Sequence, residues 1–325
     1  MDSFEYASPA TLKEALAMLG TKWGQADVLA GGTDLVSCMK DGLHEPRRVV
    51  SLKDVPELKG IRTSPAGLHI GALATMDELA RSPAVRASYK SLSDAAAGIP
   101  SPQIRHMGTA GGDLCQRPRC WYYRQGFGLL AMKNGKSLVP DGENKYHAIF
   151  GDGPAYFVSA SSLGPALVSL GAKVKLVSPK GPRELPVAQF FVVPKDEDSR
   201  EVALEPNEIL TEIIVPAGAV KSATYEVRQR EALDWPLAAA AVALTMNGTT
   251  VKSAKVVLGH VAPTPWDAAA AAEAIQGKSI TPETAEAAGK AAVEGARPLS
   301  QNGYKVQLAR VAVKRALLDA VKARA

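Results

Sequence analysis

Two glycine pairs constrain this chain more than any other feature. The first stands in Leu29-Ala30-Gly31-Gly32-Thr33-Asp34-Leu35, between an apolar strand-like run at 27–30 and a helix start. The second stands in Gln103-Ile104-Arg105-His106-Met107-Gly108-Thr109-Ala110-Gly111-Gly112-Asp113-Leu114, again with a hydroxyl beside the pair. Each pair permits positive φ and removes side chains, so consecutive backbone N–H groups can converge on an anion where a helix begins. One such pair alone is an ordinary tight turn. Two of them, about eighty residues apart, can grip the two phosphates of a dinucleotide from opposite sides. A bulky residue at Gly31 or Gly111 is then expected to block the pyrophosphate. Neither loop has the G-x-G-x-x-G spacing, and G-x-x-x-x-G-K-[ST] is absent, which disfavours a Rossmann nucleotide site and a P-loop triphosphatase.

The elements around the loops fall into two groups. Ser8 as cap, Pro9 at the first helical position, and Leu12, Ala15, Leu16 and Leu19 at helical spacing predict a helix ending at Gly20. Strands are predicted at 27–30, 47–52 and 68–73, with helices at 75–81 and 85–97. Periodicity then disappears from Pro100 to Pro154, and a long irregular segment inside a domain is usually functional or disordered. Order returns with strands at 155–160, 173–177 and 209–215 and a helix at 162–170. Beyond a boundary near Pro216–Lys221 come three strand-like runs (223–230, 237–246, 251–260) and then three helical ones (266–275, 281–294, 303–322). Strands followed by helices point to an α+β domain with helices on one sheet face. The alanine runs at 238–241 and 268–272 predict small-residue packing faces.

A length of 325 residues suits two or three domains. No apolar run is long enough to span a bilayer, and the first residues lack the apolar stretch of a secretory signal. Three cysteines argue against a disulfide scaffold and fit a reducing compartment, hence a cytoplasmic protein. Between Arg105 and Lys136 six basic residues face one acid, Asp113, an excess that equals the whole net charge of +5. Such an excess fits a polyanion nearby or a solvated basic loop.

Together, AGGTDL at 30–35 and QIRHMGTAGGDL at 103–114 resemble the FAD-binding medium subunits of molybdenum hydroxylases, the xanthine dehydrogenase and carbon monoxide dehydrogenase flavoprotein family. The likeness covers nearly the whole chain. It implies an α+β protein: a two-part α/β FAD-binding domain at 1–217, its subdomains meeting near 55–60, followed by a C-terminal domain at 218–325 with an antiparallel sheet covered by helices. It implies FAD held by Val28, Leu29, Ala30, Gly31, Gly32, Thr33, Asp34 and Leu35 on one side and by Thr109, Gly111, Gly112 and Asp113 on the other. Ile99 and Leu210 stand at positions that touch the cofactor in relatives. Partners implied are a large molybdopterin-binding subunit and a small subunit with 2Fe–2S clusters, with electrons passing through FAD to NAD or another acceptor. Neither a catalytic residue nor a metal ligand is expected in this chain, nor a nucleic-acid or membrane partner. Three positions depart from the family pattern: Asp113 stands for asparagine, Ser162 for an aspartate, and Glu226 for a lysine.

Cys115-x4-Cys120 resembles the branch of the family that carries a 4Fe–4S cluster in an inserted loop. Such a cluster takes four thiolates, and the only other cysteine is Cys38, so a cluster-free remnant of that loop is expected. The five histidines (His44, His69, His106, His147, His260) show no paired metal spacing. Arg117, Arg119, Trp121, Tyr122, Tyr123 and Arg124 interleave bases with aromatics, which in isolation suits single-stranded nucleic acid. Around a flavin or against a partner subunit is the preferred placement. Two other readings stay open: a stand-alone FAD-dependent oxidoreductase, and an assembly or nucleic-acid-binding protein using the basic stretch.

Overall fold

A computed structural model describes residues 1–196, 199–230 and 234–322, so the last three residues of the expected C-terminal domain lie outside it. Three sheets of three or more strands follow one another along the described residues. The first is parallel, ordered Glu5–Ala7, Arg48–Ser51, Ala26–Leu29. Parallel neighbours need crossovers, and the two here carry the helices Leu12–Ala17 and Leu35–Lys40. Its small core joins Ala15, Ala26, Val50, Leu52, Val55 and Leu58. The second sheet is antiparallel throughout, in the order Ile61–Ser64, Gly67–Gly71, Ile209–Pro216, Lys173–Ser178, Gly181–Pro186. The main core lies between this sheet and helices that include Met76–Arg81, Lys90–Gly98, Ala110–Cys115 and Leu163–Ser169.

The third sheet runs Lys221–Val227, Ala238–Asn247, Thr250–Gly259, Trp266–Asp267, also antiparallel. Strand residues alternate faces, and here each face has a different partner. Ala238, Ala240, Val242 and Leu244 point into a core shared with Ala269–Ile275, Pro282–Ala291 and Tyr304–Val321. Ala241 and Ala243 point the other way and join the core of the preceding domain. This is the physical reason for the alanine run: helices press on both faces of the strand, and larger side chains there would overpack the core at about 1–3 kcal/mol each.

Several elements differ from the sequence reading, each for a local reason. The first helix is capped by Thr11, whose hydroxyl accepts from the Glu14 N–H, while Ser8 donates instead to Asp54 at 3.0 Å. The run at 85–97 is two helices, Pro83–Ser88 and Lys90–Gly98. Buried Tyr89 breaks it, its hydroxyl donating to the Pro216 carbonyl. Residues 155–160 form no strand; their backbone bonds go singly to loops, as in Ser159 N–H to the Ala262 carbonyl. Trp266 belongs to a short edge strand, and the helix there starts only at Ala269. The strands at 61–64 and 181–186 carry too few apolar residues to show in the sequence.

The segment 100–154 is ordered by long-range contacts. It holds the short helices Pro102–Met107, Ala110–Cys115 and Trp121–Arg124 and a hairpin at 132–137. Buried Asn144 ties it down: its amide donates to the carbonyls of Val139, Pro140 and Gly142 and to Ser300, and its oxygen accepts from the Gln301 N–H. Tyr123, Leu129, Leu130, Ala155 and Phe157 pack with Cys120 and Met132 into an apolar cluster of their own.

Candidate functional site

The two glycine loops touch. A Cβ built on Gly31 would lie 1.8 Å from the Met107 carbonyl oxygen, so this glycine is the contact point of one loop on the other. Gly111 is packed just as closely on the second sheet, where a Cβ would meet Ala72 at 2.9 Å. A side chain at either glycine would therefore first disturb protein packing, whatever else it did to a bound pyrophosphate. Gly32, at φ +76, turns the chain into the helix Leu35–Lys40. Among the described residues, the N–H groups of Gly31, Gly32, Thr33, Asp34 and Leu35 make no hydrogen bond within the protein. Across from them the second loop spends its amides: Ala110 and Gly111 donate to Ala74 and Ala72, and Gly112 donates to the capping hydroxyl of Thr109 at 3.1 Å.

Asp34 acts as a latch between the first loop and the basic segment. Its carboxylate accepts from the Arg117 N–H at 2.7 Å and lies 2.7 Å from Arg119 and 2.9 Å from Arg124. Burial alone would raise its pKa, but Arg119, the Arg117 amide and Arg124 together hold it below the usual range. Arg117 is itself buried, donating to the Tyr123 hydroxyl and lying 3.0 Å from Glu201. Arg119 also lies over the Trp235 ring, 4.4 Å from its centroid. The basic excess between 105 and 136 is thus turned inward at Arg117, Arg119 and Arg124, onto carboxylates and rings, while Lys133 and Lys136 stay exposed. It does not form the open stripe that a nucleic acid requires.

The three positions Asp113, Ser162 and Glu226 lie together, Ser162 and Asp113 both acting on the Glu226 carboxyl. Asp113 accepts from the amides of Ser162 and Leu163 and from the Ser161 hydroxyl, placing a carboxylate at the start of the helix Leu163–Ser169. Negative charge is favourable at a helix N-terminus, so Asp113 supplies from the loop what Ser162 lacks. Burial pushes the Asp113 pKa up, opposed by those three donors. Glu226, the third departure, is buried and paired with Arg228; burial pushes its pKa up to about 7 against that guanidinium. Cys115 is half-buried, and its desolvated thiol is pushed up to about 12. Cys120 Sγ lies 3.1 Å from His147 Nε2. Among the described residues no group of three or more His, Cys, Asp or Glu is arranged to hold a metal.

Three hollows run end to end past the loops, with volumes of about 150, 250 and 290 Å³. The first is lined by Val28, Ala30, Gly31, Gly32, Thr33, Asp34 and Leu35. It shares Thr109 and Gly112 with the second, which adds Ile99 and Asp113. Leu29, Gly111 and Leu210 line none of the hollows. Leu210 is buried in the main core, and Gly111 holds its loop on the sheet. Sequence reasoning missed Trp235 and Arg228 as walls of the second hollow, whereas Arg119, expected around a flavin or against a partner subunit, does line it. The residues present fit a dinucleotide: unpartnered amides for a pyrophosphate sit where two hollows join, and planar groups at its two ends can extend either way. The fold and the cleft define a flavoprotein of the two-glycine-loop type.

Comparison with known proteins agrees. The family profile described as the FAD binding domain in molybdopterin dehydrogenase matches residues 2–218, and that of the CO dehydrogenase flavoprotein C-terminal domain matches residues 223–320. The chain is 31% identical over 320 residues to the carbon monoxide dehydrogenase medium chain of Hydrogenophaga pseudoflava, covering 97% of this chain and 96% of that one. It is 30% identical over 327 residues to an aldehyde oxidoreductase FAD-binding subunit of Escherichia coli, covering 98% and 99%. The structure superposes on a chain of quinoline 2-oxidoreductase from Pseudomonas putida 86 with TM-score 0.77 at 25% identity, covering 98% and 97%. The chain belongs to the FAD-binding medium subunits of the molybdenum hydroxylase family.

Proposed function

We propose that this chain holds FAD between its two glycine loops and works as the electron-output subunit of a molybdenum-containing hydroxylase or dehydrogenase in the cytoplasm. Its partners in this reading are a large molybdopterin-binding subunit and a small 2Fe–2S subunit, and electrons leave through FAD to NAD or another acceptor. The carrying observation is the run of unpartnered amides at 31–35 beside Thr109 and Gly112. Val28, Ala30, Gly31, Gly32, Thr33, Asp34, Leu35, Ile99, Thr109, Gly112 and Asp113 would border the cofactor. Leu29, Gly111 and Leu210 would act from behind, by packing. When bound, FAD supplies the redox chemistry, and the chain supplies placement, exclusion of water and local charge. Near the loops the one Asp34 carboxylate is shared by two guanidiniums, Arg119 at 2.7 Å and Arg124 at 2.9 Å. No helix among the described residues is long and apolar enough to cross a membrane.

The test is reconstitution. The chain purified alone and mixed with partner subunits should carry one FAD, released on denaturation, and should pass electrons from substrate to acceptor only when the partners are present. Turnover of an organic substrate by the isolated chain would instead make it a self-sufficient flavoenzyme.

A further inference from the structure

The third hollow, about 290 Å³, is not needed to seat the pyrophosphate, yet it is built as carefully as the cleft. Its walls include Trp121, Tyr146, Phe157 and Trp235, with His147 and His260 among them. Both histidines are buried, at 2% and 3% exposure, and each has a ring nitrogen without a partner, Nδ1 of His147 and Nε2 of His260. His260 sits at φ +60, an uncommon conformation for its type. Lys305 holds both in place: its buried ammonium donates to the carbonyls of Tyr146, His147 and His260. Burial pushes the Lys305 pKa down to about 7, and in the charged form its three protons match the three carbonyls.

The chemistry of the walls selects a ligand. Burial and the nearby Lys305 push the pKa of His147 down to about 4 and that of His260 to about 3, so both rings are neutral at pH 7. The Cys120 thiol, its pKa raised by burial, stays protonated and shares a hydrogen bond with His147 Nε2 at 3.1 Å. Neutral His147 offers an N–H from one ring nitrogen and a lone pair from the other. The two cations on the wall are engaged, Lys305 with carbonyls and Arg119 with Asp34 and Trp235. Nothing there receives a phosphate, whereas a flat ring with carbonyl oxygens finds aromatic faces and neutral N–H donors.

We propose that this hollow is a second ligand site, for an uncharged planar ring bearing carbonyl oxygens, of the quinone class, and that it receives the electrons of the proposed function. It adjoins the second hollow through Arg119, Asp234, Trp235 and Pro236. A quinone becomes its hydroquinone by taking up two electrons and two protons, which matches what two-electron-reduced FAD gives up on reoxidation. The acceptor role rests on the flavin reading; the site itself does not.

The probe is tetramethyl-1,4-benzoquinone, whose ring has no open position for addition of the Cys120 thiol. Its binding to the chain, with and without FAD, is measured by calorimetry beside FAD content. One equivalent should bind to both forms. Ala160→Phe, which puts a ring into the hollow from a buried wall position, and His260→Asn, which tolerates positive φ but removes the imidazole, should each weaken binding at least tenfold with FAD content unchanged. Should Ala160→Phe not fold, His260→Asn decides. No saturable binding, binding unchanged in the variants, or displacement of the probe by FAD would overturn the proposal. Binding as expected by a chain that takes up no FAD would keep the site and remove the flavin reading.

Discussion

Replacing Asp34 by asparagine keeps the shape of the latch and removes its charge. Arg119 and Arg124 then face a neutral group at 2.7 and 2.9 Å, and the amide must turn its NH2 either toward them or toward the Arg117 N–H. In both orientations donor meets donor. The Asp34 side chain is only 15% exposed, so the loss is that of one partner from a buried pair, ~3–5 kcal/mol. Urea unfolding at pH 7, followed by tryptophan fluorescence, reads it as a lower midpoint, and FAD affinity should fall with it because the loops are no longer tied. A cycle with Arg119→Gln should show the double variant losing clearly less than the sum of the singles. The pH dependence has a fixed sign. A carboxylate held below its ordinary pKa of 3.8 stabilises the fold above that value and loses its effect as pH falls through the folded value. Variant and wild type should therefore converge in strong acid. A loss under about 1 kcal/mol at pH 7 would refute the latch. Lost FAD at unchanged stability would make Asp34 a cofactor ligand instead.

Gly31→Ala should force the two loops apart, costing about 1–3 kcal/mol, and should lower both the urea midpoint and FAD content; retention of both would refute the contact with Met107. Thr109→Val removes the hydroxyl that accepts from the Gly112 N–H and should cost about 1 kcal/mol of thermal stability, whereas no change would mean the cap is idle. Lys305→Met leaves three carbonyls without their donor, and its stability from urea unfolding should drop by several kcal/mol, at roughly 1–3 for each unsatisfied group. His147 is held neutral with its pKa lowered from 6.5 to about 4, so the unfolded chain binds the extra proton first and this share of stability is lost as pH falls from 6.5 to 4. His147→Gln should flatten the fall of stability over that window by an amount on the order of 3 kcal/mol, and an unchanged slope would show that His147 titrates normally.

The outline of the site was legible because its signals are local. A glycine pair with a hydroxyl is a backbone device, and both loops emerge beside each other as their doubling implied. Elements with strong periodicity were also legible, such as Ile209–Pro216 and Tyr304–Val321. What stayed hidden depends on distant partners. Asp34 looks like a helix-start residue, yet its role is set by arginines more than eighty residues away. The basic run looks like a solvated or polyanion-binding patch until Asp34, Glu201 and Tyr123 are seen against it. The close contacts of Gly31 with Met107 and of Gly111 with Ala72 join loops and sheet that are far apart in sequence, so no local pattern shows them. The aromatic hollow could not be read at all, since its walls come from residues 119–160, 229–260 and Lys305.

The central claim is that the two glycine loops together hold FAD, and equilibrium titration of the FAD-free chain tests it most directly. Saturable uptake of one FAD per chain, weakened in Gly31→Ala and in Asp34→Asn alike, is the predicted result. A correctly folded chain that takes up no FAD, or that binds it equally well in both variants, would contradict the account.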